Sequence, residues 1–382
     1  MTSHADSDIV GAFLGRIADG VIEAFIKAVL HEPALSRELG AQDLVPENVA
    51  AFARSKGYAF TAAELTDYVE SRLAARLPAA ECEARRRFLE RRARGELSGP
   101  ETLDQPTQVR SAEIAGGAPL DRAFVLRGGV VAVRGCSALL PLLDILLGTL
   151  RTALATEDMD TVHTALDFAT LRQRTLAAYT ALSKDARVPA VITAMISGLG
   201  MDPRDVLWEW PGFRLMQPEA AGGHGQYRAA YSGALPAHRD TWYGSPQHQI
   251  NIWGPVRPIP DDATLRVLPR YFRKTFANSS RGYDTWQNYA ALALSPVPRD
   301  TADESEVLAP PLGVGDMIAF SGQQLHASAP NTTDRMRVSF EFRLLHRADE
   351  GEACVPANVD YYGAGEIYKG WFDADGNEVV RL

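Results

Sequence analysis

From residue 21 to about residue 95, apolar residues return every three or four positions. Phe25, Ile26, Val29 and Leu30 form one such stripe, Val49, Phe52 and Ala53 a second, and Leu65, Tyr68 and Val69 a third. That spacing predicts helices that each bury one face. Their ends are chemically marked: Pro46 suits a helix's first turn, Gly57 can take the left-handed position that closes one, and Thr61 with Glu64 makes a capping box for the next. Helical spacing resumes between 137 and about 200. After Asp202 the period drops to two, in the runs WEWPGFRLMQ, QYRAAYSG, HQINIWGPV, TLRVLPRYF, DMIAF and RVSFEFRLL, parted by Gly, Pro and Asp. The expected architecture is α+β: a helical region followed by an all-β domain of the barrel or jelly-roll kind.

The same pattern divides the chain. Residues 1–97 read as a helical domain and 98–121 (SGPETLDQPTQVRSAEIAGGAPLD) as a turn-rich linker, which would let that domain fold apart from the remainder of the chain. Residues 122–382 form the second domain, its β core lying at about 205–345. The most apolar stretch, Gly129 to Leu150, carries Arg134 and Asp144, each costly at bilayer depth, so it reads as a buried hairpin and helix and not as a membrane span.

Composition narrows the function classes. With 382 residues the chain can form a large domain with an appendage. A charged fraction of 23% and a hydrophobic fraction of 46% are those of a globular protein, and the net charge of -9 argues against a nucleic-acid partner. The one basic run, EARRRFLERRARGE, interleaves Arg85 to Arg87 and Arg91, Arg92 and Arg94 with Glu83 and Glu90, which predicts a solvated, ion-paired helix face. Cys82, Cys136 and Cys354 lack any C-x-x-C spacing and read as reduced structural thiols. No basic region feeds an apolar core at the start, so a cytoplasmic protein without a membrane partner is expected.

Chemistry enters with His238 and Asp240, two positions apart, so that on an extended segment both side chains leave one face while Arg239 points away. Alone the pair says little, since His4 and Asp6 repeat it near the start. His326 follows the Gly315-Asp316 turn and the strand Met317 to Phe320, and would complete a set of two imidazoles and one carboxylate. Such a triad binds Fe(II) on one octahedral face and leaves three adjacent positions open, enough for a chelating 2-oxo acid and O2 together. Ten residues beyond His326, Arg337 opens a strand whose same face carries Ser339, a guanidinium fork and a hydroxyl suited to a carboxylate; Arg335 ranks second. Trp242, Tyr243, Gln249, Asn251 and Trp253 are candidates for the substrate wall, with Tyr227 and Tyr231 behind them. Trp253 and the two amides could equally be barrel packing.

Two resemblances arise from these residues. Pro33 to Glu70, with the run A-x-x-x-G-Y-x-F-T-x-x-E-L from Ala53 to Leu65, resembles the nif-eleven-like leader domain over roughly residues 21–75. In that family the module leads precursors of ribosomally made, modified peptides, which implies a possible docking role toward partner biosynthetic enzymes. The order H-R-D, QINIWGPV, LRVLP, G-D, H-x-S and R resembles the iron(II)/2-oxoglutarate dioxygenase superfamily, and within it the phytanoyl-CoA dioxygenase-like branch, over about 205–345. This resemblance implies a double-stranded β-helix (jelly-roll) core, iron on His238, Asp240 and His326, 2-oxoglutarate on Arg337 and Ser339 with Ser328 of the H-x-S motif, and O2 as oxidant. It also implies hydroxylation of a small polar molecule, amino acid or peptide in natural-product biosynthesis. Carboxylate Asp240 argues against the related halogenases, which have Gly or Ala there. Pro269-Arg270-Tyr271-Phe272 departs from the branch's usual Pro-Gly-Ser-His, so its substrate contacts do not carry over. Two other readings stand beside this one: a metal-stabilised module whose helical domain recruits partner enzymes, and a cupin-like iron dioxygenase without a 2-oxo acid, which would leave Arg337 and Ser339 unexplained.

Overall fold

A computed structural model describes residues 18–29, 32–76, 82–83, 85–87, 90, 94, 104–105, 108, 110–221, 234–281, 283, 296–356, 358–363 and 370–379. Tyr227, Tyr231, Arg91 and Arg92 lie outside the described residues.

Helices 18–29, Pro33–Gly40, Pro46–Ser55 and Ala62–Arg76 form the N-terminal unit. The marked ends behave as their chemistry dictates. Pro46 starts its helix, Gly57 sits at φ 89°, where a side chain would be strained, and the capping box closes in both directions. Thr61 N–H donates to Glu64 Oε2 at 2.7 Å, and Glu64 N–H donates to Thr61 Oγ1 at 3.2 Å. Val49, Phe52, Ala53, Leu65, Tyr68 and Val69 are all buried, around Phe25, whose ring centroid lies 5.4 Å from that of Tyr58 and 5.6 Å from that of Phe60.

The remainder is built on a mixed sheet. Its strands are β1 (Ser111–Ala115), β2 (Val130–Arg134), β3 (Val206–Glu209), β4 (Gly212–Met216), β5 (Ile250–Pro255), β6 (Leu265–Leu268), β7 (Met317–Ser321), β8 (Leu325–Ser328), β9 (Arg337–His346), β10 (Trp371–Phe372) and β11 (Glu378–Val379). The large sheet runs β1-β2-β7-β5-β9-β3-β10-β11, with β4 also paired to β9; β6 and β8 form a separate antiparallel pair. It is a jelly-roll core whose sheet does not close into a barrel.

Two details depart from the pattern reading. The stretch expected to be a linker holds β1, which pairs in parallel with β2, and β2 pairs antiparallel with β7, so the apolar Gly129–Leu150 run is a sheet strand and a helix, not a hairpin. The sequence of β1, SAEIA, has one β-branched residue in five, too weak a signal to read as a strand.

The large sheet's alternation sorts its side chains. On β9, Val338, Phe340, Phe342 and Leu344 join a cluster with Ile250 and Ile252 of β5 and with the helices Leu140–Leu154, Phe168–Leu182 and Val188–Gly198, which cover that face. The segment Ser137–Leu154 is long and apolar enough to cross a membrane by composition, but Leu142, Leu143, Leu146 and Leu150 are spent in this cluster. Arg337, Ser339, Glu341 and Arg343 face the other way, into the space between the sheets. Part of that space is apolar, filled by Trp253, Leu265, Val267, Ile318 and Phe320. The rest is charged.

A second cluster joins the N-terminal unit to the β part: Ile22, Phe25, Leu39 and Leu44 are in one buried group with Trp242, Leu268, Tyr271, Phe276, Leu325 and Tyr361. Leu44 N–H donates to Arg281 O at 3.1 Å, and Asp43 pairs with Arg299 at 2.7 Å. Truncating Phe25, which is 1% exposed, removes a large aromatic ring from this cluster. Phe25→Ala is therefore expected to lower the unfolding free energy by about 3–5 kcal/mol, measured by urea denaturation, and an unchanged midpoint would show that the unit contributes nothing to the whole.

Candidate metal centre

The site begins with an antiparallel exchange: His238 N–H donates to His326 O and His326 N–H to His238 O, each at 2.9 Å. His326 lies on β8; His238 pairs through an isolated bridge, where an extended strand end was expected. The chain then turns at once into the 3-10 segment Asp240–Tyr243, closed by Gly244 at φ 84°. The exchange sets the two rings side by side, centroids 4.2 Å apart.

The ring tautomers are set by the backbone. His238 Nδ1 lies 2.8 Å from Pro236 O and His326 Nδ1 lies 3.0 Å from Gln324 O, so each ring donates through Nδ1 and keeps its Nε2 lone pair free. Both Nε2 atoms lie 3.7 Å from the same oxygen, Asp240 Oδ1. All three residues are buried, and one ligand atom from each falls within 4.8 Å of the others. Burial, reinforced by the neighbouring ring, pushes His238 down to about 3, and burial likewise pushes His326 down. Burial alone would raise Asp240, but the Arg343 cation and the Asn251 hydrogen bond oppose it and keep the carboxyl low. Two neutral imidazoles and a carboxylate, already deprotonated, are what a divalent cation needs.

Behind the ligands, Arg239 points away as its position requires and is fully buried. It donates to Asp360 Oδ2 at 3.0 Å, to Tyr271 O at 2.6 Å and Lys274 O at 2.7 Å, and to Gln323 O. Asp360 also accepts from Trp242 Nε1 at 2.7 Å and from Phe276 N–H at 2.9 Å. Trp242 is thus turned to the back of the loop, among the residues that meet the N-terminal helices, and not toward a substrate. Tyr243 stays near the ligands, its ring centroid 5.6 Å from that of His238. Gln249 and Asn251 are not wall residues either: both amides donate to Asp240 Oδ2 at 2.9 Å. Trp253 is core.

Arg337 lies on the same face of β9 and is 4% exposed. Its Nη1 donates to Ala263 O at 2.8 Å and Ala329 O at 3.0 Å, while Nε is buried without a partner among the described residues. Burial, with the like charge of Arg214, pushes its guanidinium down to about 9. A buried cation with an orphaned donor calls for an anion, and a carboxylate fits it. Ser339 is buried beside it; Ser328 Oγ accepts from Leu235 N–H at 3.0 Å and retains its own proton to donate. Arg335, 70% exposed, is out of reach of this space.

Glu209 and Glu341 escaped the sequence reading, in which Arg343 stands only as a fallback, after Arg335, for the carboxylate role of Arg337. Arg343 reaches Asp240 Oδ2 at 3.3 Å, Glu209 at 2.9 Å and Glu341 at 3.7 Å. The signal was present: in RVSFEFRLL, Glu341 and Arg343 share the parity of Arg337.

Fold and site together give a jelly-roll core that carries a two-histidine, one-carboxylate cluster, with a buried arginine on β9. The phytanoyl-CoA dioxygenase (PhyH) family model matches residues 75–339, and the chain belongs to that family. The Nif11 domain model matches residues 21–65. No protein of curated function matches the chain. Among solved structures, EvdO2 from Micromonospora carbonacea var. aurantiaca complexed with 2-oxoglutarate is 18% identical over 45% of this chain and 64% of its own, with a TM-score of 0.30. The apo non-heme monooxygenase ThoJ is 16% identical over 59% and 77% (TM-score 0.34). SnoN, an alpha ketoglutarate dependent epimerase from nogalamycin biosynthesis, is 13% identical over 59% and 81% (TM-score 0.32). This chain therefore spans less than two thirds of EvdO2, and overlap at these scores speaks neither to substrate nor to reaction.

Each of His238→Ala, Asp240→Ala and His326→Ala is expected to abolish stoichiometric Fe(II) binding under anaerobic dialysis and succinate formation with it. Full iron binding by His326→Ala would remove that residue from the site.

Proposed function

We propose that the protein uses Fe(II), 2-oxoglutarate and O2 to hydroxylate a polar small molecule, amino acid or peptide in natural-product biosynthesis. The observation that carries the reading is one carboxylate oxygen of Asp240 facing Nε2 of both His238 and His326, on the sheet face where Arg337 keeps a buried donor without a partner among the described residues. A cupin-like dioxygenase lacking a 2-oxo acid would have no use for that arginine.

Bound there, iron with 2-oxoglutarate and O2 supplies the oxidising power, with succinate and CO2 as the coproducts. The chain's part is placement. His238, Asp240 and His326 would hold the iron, and a three-residue set of this kind would leave coordination positions for the cosubstrate and O2. Arg337, with Ser339 and Ser328, takes the far carboxylate of the cosubstrate and so sets the distance of its 2-oxo end from the ligands. Two features support a polar substrate: Glu209, Glu341 and Arg343 charge the space beside Asp240, and Arg214 extends that charge along β4. The leader-like helical unit supports a peptide or a substrate presented by a partner biosynthetic enzyme, since its family's modules head modified peptides.

Arg337→Lys exchanges a planar fork for a point charge. It is expected to weaken 2-oxoglutarate about tenfold or more, roughly 1.4 kcal/mol, by calorimetric titration of the metal-loaded protein. An unchanged affinity would move the role to another cation. Substrate class is tested by mass spectrometry after incubation with Fe(II), 2-oxoglutarate and candidate amino acids or peptides encoded nearby. The expected product carries one added oxygen from O2; succinate formation that no polar candidate stimulates would contradict the class.

A further inference from the structure

Asp240 is held asymmetrically. Its Oδ2 accepts three hydrogen bonds, from Gln249 Nε2 and Asn251 Nδ2 at 2.9 Å each and from Arg343 Nε at 3.3 Å. Among the described residues, its Oδ1 faces the two histidine Nε2 atoms, at 3.7 Å each.

The donors are themselves oriented. Gln249 Nε2 spends its second proton on Asn251 Oδ1, at 2.6 Å, which fixes the Asn251 amide with its nitrogen toward Asp240. Arg343 is steered from the other side by Glu209 at 2.9 Å and Glu341 at 3.7 Å. The β5–β9 register brings the groups together, because Asn251 is the cross-strand partner of Arg343. Gln249 and Asn251 are 1% and 5% exposed, so few waters compete for these bonds.

A carboxylate can offer a metal one oxygen or both. With one, the triad leaves three positions for a chelating 2-oxo acid and O2; with both, one of the three is lost. Three donors on Oδ2 exceed its two in-plane lone pairs, so a metal could share that oxygen only by displacing donors from it. We propose that Gln249, Asn251 and Arg343 are positioning residues that confine Asp240 to ligation through Oδ1 and thereby keep a coordination position open for the cosubstrate. This rests on the oxygenase reading above.

The consequence is a split between two affinities. Removing the donors should leave metal binding intact, because a released carboxylate can still ligate and can add a second oxygen. It should weaken 2-oxoglutarate, which must then compete for the lost position. The test uses full-length Gln249→Met and Asn251→Leu, near in size to the residues they replace. Each is titrated anaerobically with Co(II), and the Co(II)-loaded protein is then titrated with 2-oxoglutarate. The expected result is a Co(II) dissociation constant no weaker than wild type and a 2-oxoglutarate constant raised about tenfold or more. Weaker Co(II) binding with unchanged 2-oxoglutarate affinity would overturn the proposal and make the amides mere supports of the metal site; no change in either constant would also overturn it. If the buried variants fail to fold, Arg343→Met, at a side chain that is a quarter exposed, is read in the same way. Failure of the wild-type protein to bind Co(II) or 2-oxoglutarate would instead contradict the oxygenase reading itself.

Discussion

The paired backbone bonds between His238 and His326 are the constraint on which the site depends. Because each residue both donates to and accepts from the other, at 2.9 Å, neither backbone can slip out of register without breaking two bonds in a buried place. The two carbonyls at Nδ1 then settle which nitrogen faces inward, and Asp240, two residues along, meets both at one oxygen. Three ligands from segments almost ninety positions apart are thus placed by local hydrogen bonding, before any metal contributes.

The loop carrying two of these ligands is anchored on both sides. Its front is tied to β5 and β9 through Asp240 Oδ2. Its back is tied through Arg239 and Trp242 to one buried carboxylate, Asp360, far along the chain and beyond the span matched to the family. The pair is 0% and 1% exposed, a setting in which losing one partner strands the other's charge. Trp242 also belongs to the apolar cluster that the N-terminal helices complete, so the helical unit and the back of the loop carrying His238 and Asp240 share one buried cluster.

Much of this was legible from residue types and spacing, and what was hidden was hidden for identifiable reasons. The capping box at Thr61 and Glu64, the parity of Arg337 and Ser339 on β9, and the outward turn of Arg239 each come from a local rule. For Gln249 and Asn251 the sequence leaves substrate wall and hydrogen-bonded packing equally open, because alternation gives the face but not the partner; their partner is set by the β5–β9 register and the fold of the His238–Asp240 loop. Asp360 sits in a loop that no period marks, and its pairing with Arg239 spans 121 positions. Strand β1 alternates on Ala112 and Ile114 alone, too short and too poor in β-branched residues to stand out from a linker, and among the described residues it pairs along one edge. Trp242 looked like a pocket residue because an aromatic beside metal ligands has two destinations, and only tertiary packing decides between them.

The account stands or falls on whether one metal and one 2-oxo acid meet at this triad. Anaerobic titration of the wild-type chain with Fe(II) and then 2-oxoglutarate, monitored by visible absorption, tests this directly. A metal-to-ligand charge-transfer band that needs both components and saturates at one equivalent of each per chain is the expected result. Iron that binds without the band ever forming, or a band independent of the protein, would contradict it.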